Sequence, residues 1–155
     1  DVIIHAIDFF VSKSIVFDYL LLLEPTSPLR EYEDIDKCIE LLCGHPFAKS
    51  IVSVAKLEGT HPEFNLIINQ KNGCIMKTDG STDFKVLRRQ ELNDIFFFEG
   101  TIYLSDIKTL LTTKTFNHEA TLGYVVPRWK SLEIDEYCDL VCAEALLKAR
   151  LEGAI

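Results

Sequence analysis

Glu24-Pro25-Thr26-Ser27-Pro28-Leu29-Arg30 follows the apolar run Phe17 to Leu23 and precedes the start of a predicted helix. An apolar run of this length, with turn residues behind it, is typical of a buried parallel strand. In open α/β sheets, ligands bind at the loops that leave the carboxyl ends of such strands. This loop carries a carboxylate, two hydroxyls and a guanidinium within seven residues. It therefore predicts a polar site at the edge of an α/β sheet.

Helical and strand patterns alternate along the rest of the chain. Helical periodicity and capping residues predict four helices: Asp1 to Ser12, Tyr32 to Cys43, Asp106 to Thr112 with Ser105 as N-cap, and Glu136 to Leu151. Besides Phe17 to Leu23, β-branched and apolar runs predict strands at Ser50 to Val54, Gly100 to Leu104 and Leu122 to Val126. The order of these elements indicates an α/β domain.

Residues 57 to 94 interrupt this alternation. Turn pairs such as Asn72-Gly73 and Asp79-Gly80 separate short β-type runs there, Leu66 to Ile68 and Cys74 to Met76. The segment is predicted to be an insertion made of hairpins.

Composition excludes several classes of protein. The chain has 155 residues, enough for one core, with a net charge of -8 and a pI near 5.0. An acidic chain of this kind is not expected to bind nucleic acid, and no apolar window is long enough for a membrane span. The five cysteines are odd in number and form no CxxC pair, which favours reduced core thiols and a cytoplasmic protein.

Two further segments carry chemical groups. The first is Arg88-Arg89-Gln90-Glu91-Leu92, followed by Phe96-Phe97-Phe98-Glu99-Gly100-Thr101-Ile102-Tyr103-Leu104. The second is Ser131-Leu132-Glu133-Ile134-Asp135, followed by Asp139-Leu140 and Ala143-Glu144. In order with the loop after Leu23, these motifs resemble the acylneuraminate cytidylyltransferases, the CMP-sialic acid synthetase family. The resemblance extends from Asp1 to about Leu147.

The resemblance implies a fold and a reaction. The fold would be a Rossmann-like nucleotidyltransferase, three-layer α/β/α with a mixed, mostly parallel sheet, in which residues 57–94 form a β-hairpin dimerisation insertion. The full-length protein would transfer CMP from CTP to a nonulosonic (sialic-like) acid and release pyrophosphate, with Mg²⁺ as cofactor and a homodimer as the assembly; the activity of residues 1–155 alone is left open. Family members begin with a strand and a Gly-rich phosphate loop that nothing here matches, so residues 1–155 are expected to form a single cytidylyltransferase domain lacking that N-terminal CTP-binding segment.

Glu133 and Asp135 are the candidate metal ligands. They flank a single residue, and in an extended segment such neighbours point to the same side. Mg²⁺ prefers oxygen ligands and needs one or two carboxylates. Spacing alone favours a plainer interpretation, in which the acids belong to the N-terminal turn of the last helix; the family's Asp-x-Asp motif, here with Glu first, favours the metal.

The resemblance also assigns substrate contacts. Arg89, a candidate catalytic residue with Asp135, matches an arginine that reaches the sugar carboxylate in the partner subunit's site, although an isolated basic pair is usually a solvated surface feature. The remaining candidate substrate-binding residues are Glu24, Thr26, Ser27, Arg30, Tyr103 and Phe116. Tyr103 could equally be an ordinary core aromatic, and the loop hydroxyls could simply cap turns.

Three positions depart from the family pattern: Glu24 replaces a glutamine, Phe64 stands where a lysine is usual, and Glu99 replaces an asparagine. A carboxylate accepts hydrogen bonds but donates none unless protonated. Glu24 therefore either meets hydroxyl or amino donors of a different sugar or faces a cation such as Arg30. The departures favour a sugar other than N-acetylneuraminate.

Two other functions remain open at this level. The chain could be a non-catalytic sugar-binding or dimerisation fragment, or a nucleotidyltransferase that acts on a sugar phosphate. The sequence does not name the sugar.

Overall fold

The computed structural model describes residues 2–59, 61–84 and 88–155. The helices are α1 (Val2–Ser12), α2 (Tyr32–Gly44), α3 (Ile107–Thr113) and α4 (Tyr137–Leu151). The strands are β1 (Tyr19–Leu22), β2 (Ser50–Lys56), β3 (Leu66–Ile68), β4 (Ile75–Lys77), β5 (Phe96–Asp106) and β6 (Thr121–Val126). Single 3₁₀ turns lie at Pro62–Phe64, Arg89–Glu91 and Arg128–Lys130. The predicted helices and strands are confirmed, although Asp1, the predicted start of the first helix, lies outside the described residues.

The larger sheet has the strand order β1-β5-β2-β6. β1 is antiparallel to β5, with Leu22 opposite Tyr103, and β2 is parallel to β6. The Asp106 amide donates to the Lys49 carbonyl (2.8 Å), while further along β2 the Ser53 hydroxyl donates to the Glu99 carbonyl (3.1 Å). β5 is therefore antiparallel to β2 as well, so β1, β2 and β6 all run in one direction and β5 runs against them.

This mixed sheet, combined with the helices, is compatible with a Rossmann-like fold. Because β5 runs against β1, β2 and β6, the carboxyl ends of β1 and β6 and the first half of β5 lie at the same edge of the sheet. Side chains from these three segments can therefore contribute to one site. The three-layer arrangement stays a prediction.

α2 packs against the sheet through a small apolar core. The helix is amphipathic, and it places Cys38 and Leu42 against Ile51, Ile102 and Leu104, all buried. Cys38 has no exposed surface, and burial raises the pKa of its thiol to about 12. Seven-residue β2 is covered along most of its length, which explains its β-branched, apolar sequence.

A buried ion pair ties helix α2 to the segment after β6. The Lys130 ammonium lies 2.6 Å from Asp34 and 2.7 Å from Glu31, with the Lys130 and Asp34 side chains 6% and 3% exposed. The Tyr124 hydroxyl donates to the other Asp34 oxygen at 2.8 Å. Glu31 also accepts from Arg150 of α4 at 2.8 Å. Two helices, one strand and one turn thus share a single charged network.

Three sequence-based expectations need correction. β1 is antiparallel to its neighbour and partly exposed, with Tyr19 47% exposed; an apolar run does not encode strand direction. The N-cap of α3 is Asp106 and not Ser105, because the Asp106 carboxylate accepts the Thr109 amide at 2.8 Å. Cys38 is the buried thiol, whereas Cys43, Cys74, Cys138 and Cys142 are exposed, since spacing within a helix does not determine which face is covered.

Lys56–Phe97 forms a separate compact unit, apart from the unit made of residues up to 55 and Phe98–Ile155. Within it, β3 and β4 pair antiparallel, with Ile68 opposite Ile75. Gly73 and Gly80 have positive φ angles of 73° and 83°, which allow the tight turns that the sequence predicted. In the described part of the chain, no helix is long and apolar enough to cross a membrane.

Candidate functional site

The loop after β1 is held against two other segments. The Arg30 guanidinium donates from Nε to the Thr101 carbonyl (2.7 Å) and from Nη2 to the Glu24 carbonyl (2.8 Å). The Ile134 amide donates to the Thr26 carbonyl at 2.8 Å. The loop after β1, the start of β5 and the segment after β6 are therefore joined at one edge of the sheet, as the strand directions require.

Gly100 marks the point where these segments converge. A Cβ atom at this position would lie 2.5 Å from Oε1 of Glu133, 2.8 Å from Oε2 of Glu24 and 2.9 Å from Oγ of Ser27. The Gly100 amide donates to Glu133 Oε1. The side chains of Glu24, Ser27 and Glu133 are called the Gly100 pocket below. A side chain at position 100 would displace the two carboxylates from where they lie.

Glu99 is a carboxyl group inside the sheet. Its side chain is 2% exposed; Oε2 accepts the Thr101 hydroxyl, whereas Oε1 has no hydrogen-bond partner among the described residues. Burial raises the pKa of Glu99, hydrogen bonds from Ser53 and Thr101 oppose that rise, and the nearby charge of Glu133 adds to it. A carboxyl oxygen buried without a partner is unfavourable in a folded protein.

Ser27 also carries a buried oxygen without a hydrogen-bond partner among the described residues. It is 1% exposed, and its hydroxyl makes no hydrogen bond within the described part of the chain. Its Oγ approaches the Gly100 position together with the Glu24 and Glu133 carboxylates. The simpler sequence interpretation, in which Ser27 caps a turn with its hydroxyl, therefore finds no support here.

Tyr103 and Phe116 form an aromatic pair next to this pocket. Their ring centroids are 5.4 Å apart, with an interplanar angle of 48°. Burial raises the pKa of the Tyr103 hydroxyl, and the charges of Glu24, Glu133 and Glu99 raise it further. Both aromatic residues are half-buried, so each retains surface that a ligand could contact.

The two predicted metal ligands have different surroundings. Glu133 is half-buried, with one oxygen on the Gly100 amide, whereas Asp135 is exposed and its amide donates to Asp139 at 3.1 Å. No group of three or more histidine, cysteine, aspartate or glutamate side chains that could hold a metal occurs in residues 2–59, 61–84 and 88–155. Two carboxylates suit Mg²⁺, which takes its other ligands from water and phosphate.

The structure brings some predicted site residues together and leaves others apart. The side chains of Glu24, Ser27 and Glu133 meet at Gly100. Hydrogen bonds of Thr26 and Arg30 hold the loop after β1 in place. The charges of Glu24 and Glu133 also raise the pKa of Tyr103. The guanidinium of Arg30 bonds the Glu24 carbonyl and not its carboxylate. The side chain of Arg89 lies outside the described structure, so its role stays a prediction.

Glu99 and Gly100 were not among the predicted site residues. Glu99 was noted only as a departure from a family pattern. The sequence does contain a signal for a buried carboxylate at Glu99, because this residue follows Phe96-Phe97-Phe98 within an otherwise apolar strand. A charge at such a position is buried by the sheet and requires a partner.

Comparisons with known proteins find relatives that are named after the formation of CMP-sugars. No family model matches the chain. Across its whole length it is 29% identical to a protein of Legionella pneumophila named CMP-N,N'-diacetyllegionaminic acid synthase, of which the match covers 66%. Over 83% of its length it is 28% identical to an N-acylneuraminate cytidylyltransferase of Streptococcus agalactiae serotype III, of which it covers 31%. The chain therefore spans less than two-thirds of either relative.

The resemblance found in the sequence motifs is confirmed by these relatives. The chain is similar to a CMP-N,N'-diacetyllegionaminic acid synthase and to an N-acylneuraminate cytidylyltransferase.

Proposed function

We propose that this protein transfers CMP from CTP to a nonulosonic acid and releases pyrophosphate. The observation that carries the proposal is the convergence of the loop after β1, the start of β5 and the segment after β6 at Gly100. These are the three segments in which the motif resemblance lies. The names of the relatives, a CMP-N,N'-diacetyllegionaminic acid synthase and an N-acylneuraminate cytidylyltransferase, agree with the proposal. The anomeric hydroxyl of the sugar acid would attack the α-phosphate of CTP.

The sugar is proposed to lie over the Gly100 pocket and the Tyr103–Phe116 pair. A half-buried aromatic pair offers an apolar wall, and the carboxylates and Ser27 offer polar contacts that fix orientation. A sugar phosphate is the weaker candidate for this position. Its dianionic phosphate would meet Glu24 and Glu133, and like charges in a partly buried site repel each other.

Asp135, with Glu133, is proposed to hold Mg²⁺. The donor set fits this ion because both side chains supply oxygen, and exposure of Asp135 leaves space for water and phosphate ligands. The ion would neutralise charge on the triphosphate as pyrophosphate leaves. Arg89 is proposed to bind the sugar carboxylate in the partner subunit of a homodimer.

The test is formation of a CMP-sugar from CTP, Mg²⁺ and a set of nonulosonic acids, followed by mass spectrometry. Asp135→Asn is expected to lower kcat by at least about 100-fold, the scale of one lost transition-state contact. Glu40→Gln, an exposed change on α2, is the matched control and should leave kcat unchanged.

Two results would contradict the proposal. Turnover with a sugar 1-phosphate but with none of the sugar acids would assign the protein to sugar-phosphate nucleotidyltransferases. Normal turnover of Asp135→Asn at saturating Mg²⁺ would remove that residue from the metal site.

A further inference from the structure

Three side-chain oxygens converge beside Gly100, and two of them carry negative charge. Oε1 of Glu133, Oε2 of Glu24 and Oγ of Ser27 lie 2.5, 2.8 and 2.9 Å from the point that a Cβ of residue 100 would occupy. Neither carboxylate forms a salt bridge with another residue of the described structure. Carboxylates this close repel each other unless a positive charge lies near both. The arrangement favours a ligand that brings such a charge.

The side chain of Ser27 is an independent sign of a ligand at this point. It is 1% exposed, and its Oγ has no hydrogen-bond partner in the described ranges of the chain. A buried polar atom without a partner is unfavourable. A hydroxyl oxygen has two lone pairs besides its proton, so it can ligate a metal ion, as the serine or threonine of a P-loop ligates Mg²⁺.

The backbone holds these three oxygens in place. The Arg30 guanidinium donates to the carbonyls of Thr101 and Glu24, and the Ser27 amide donates to the same Glu24 carbonyl at 3.3 Å. These bonds fix the turn that carries two of the three side chains, while the Glu133 carboxylate accepts a backbone amide. The guanidinium is engaged with carbonyl oxygens, so it fixes the turn and does not bridge the two carboxylates.

We propose that Glu24, Glu133 and Ser27 bind a hard divalent cation of the Mg²⁺ class. Glu24 and Ser27 thereby complete the metal site that the proposed function gives to Glu133 and Asp135, and the inference rests on that function for the use of the ion. The three donors are all oxygen, the ligand type that Mg²⁺, Mn²⁺ and Ca²⁺ prefer. A divalent ion offsets both carboxylate charges, whereas a singly charged group offsets only one.

The site gives the carboxylate of Glu24 a function that a glutamine would perform less well. A glutamine side chain keeps one acceptor oxygen but loses the negative charge. The bound ion neutralises the two carboxylates of the pocket. A sugar acid then adds one negative charge to the pocket, whereas a sugar phosphate adds two.

Manganese binding by the 155-residue chain, without CTP or sugar, tests the inference. Mn²⁺ is the probe, because the EPR signal of the free ion reports how much of it remains unbound, and Mg²⁺ is then added as competitor. The wild type is expected to bind one Mn²⁺ more tightly than its surface carboxylates do, and Mg²⁺ is expected to displace it. Glu24→Gln is expected to weaken this site at least about tenfold, the lower bound for losing a supporting partner of a metal site.

Ser27→Ala separates ligation from charge, because it removes an oxygen and no charge. It is also expected to weaken Mn²⁺ binding, whereas Glu40→Gln, which removes a carboxylate from the exposed face of α2, should leave the site unchanged. Thermal unfolding reports whether each variant folds. If Ser27→Ala does not fold, Glu24→Asp takes its place, since it keeps the charge but withdraws the oxygen by one methylene.

Two results would overturn the inference. The first is a wild type without any site tighter than its surface carboxylates, and the second is wild-type affinity in either Glu24→Gln or Ser27→Ala. CMP-sugar formation is measured separately. CMP-sugar formation with an ion that does not depend on Glu24 would leave the proposed function intact, whereas a Glu24-dependent ion in a protein that forms no CMP-sugar would do the opposite.

Discussion

Single residues determine the geometry of the site, and Gly100 is the clearest case. Its backbone lies within reach of side-chain oxygens from two other segments. Neither strand propensity nor turn chemistry requires glycine at this point of β5. The requirement comes from a close approach of other parts of the chain.

Gly100→Ala is therefore expected to reduce both stability and function. The added methyl would lie 2.5 to 2.9 Å from three oxygens, and Glu133 would lose its contact with the Gly100 amide. Because the two carboxylates end flexible side chains that can move aside, the free energy of unfolding is expected to fall by only about 1 kcal/mol, the low end for overpacking, measured by urea denaturation. Gly44→Ala serves as control, because no atom lies within 4 Å of a Cβ there. Equal stabilities for the two variants would show that the pocket is looser than described.

At the scale of elements, the buried ion pair of α2 connects several parts of the domain. Asp34 and Lys130 join α2 to the turn after β6, Tyr124 joins the strand, and Arg150 joins α4 through Glu31. The same turn leads into Ser131 to Asp135. The network thus positions the segment that carries the candidate metal ligands.

Asp34→Asn is expected to lower the free energy of unfolding by about 3 kcal/mol at neutral pH, because it leaves a buried ammonium with one fewer counter-charge. Burial alone would raise the pKa of Asp34, but hydrogen bonds from Lys130, the Glu31 amide and Tyr124 outweigh it and hold the pKa below its ordinary value.

The pH dependence follows from the direction of that shift. A carboxyl with a depressed folded pKa stabilises the protein above its unfolded pKa and loses this effect as the pH falls through its folded pKa. The difference between the wild type and Asp34→Asn should therefore shrink below about pH 4. Denaturation at several pH values checks this, with exposed Asp36→Asn as control. A difference that persists in strong acid would show that packing, and not charge, is lost.

At the scale of the whole molecule, Lys56–Phe97 is a unit whose β3–β4 hairpin exposes apolar side chains. Leu66, Ile67, Ile68 and Ile75 of the β3–β4 hairpin are 44–62% exposed. A two-stranded sheet is marginally stable by itself, and an exposed apolar group of this kind marks an interaction surface. These features support the proposed role of residues 57–94 in pairing with a second copy.

Replacing Ile68 and Ile75 together by lysine is expected to convert dimers to monomers, because two like charges on each hairpin would be buried at the interface. Light scattering measures the change. Gln70→Lys, exposed in the turn of the same hairpin, should leave the dimer intact. A wild-type protein that is monomeric at the highest concentration tested would assign the hairpin another role.

The sequence by itself determined the identity and order of the elements and the loops that carry the site. Hydrophobic periodicity, capping residues and turn pairs are local properties, and they placed α2, β2, β3 and α4 to within a few residues. The motifs in residues 24–30, 99–104 and 131–135 located the polar edge of the sheet for the same reason.

Only the tertiary structure decided the direction of the strands, which side chains are buried and which segments meet at the site. Strand direction in β1 depends on its neighbour β5, and the exposure of Cys138 and Cys142 depends on which face of α4 is covered. Glu24 and Glu133 are distant in sequence, and their meeting at Gly100 results from the sheet register and from the hydrogen bond between Ile134 and Thr26. Contacts between distant segments leave no periodic signal in the chain, which is why the Gly100 pocket became visible only in the fold.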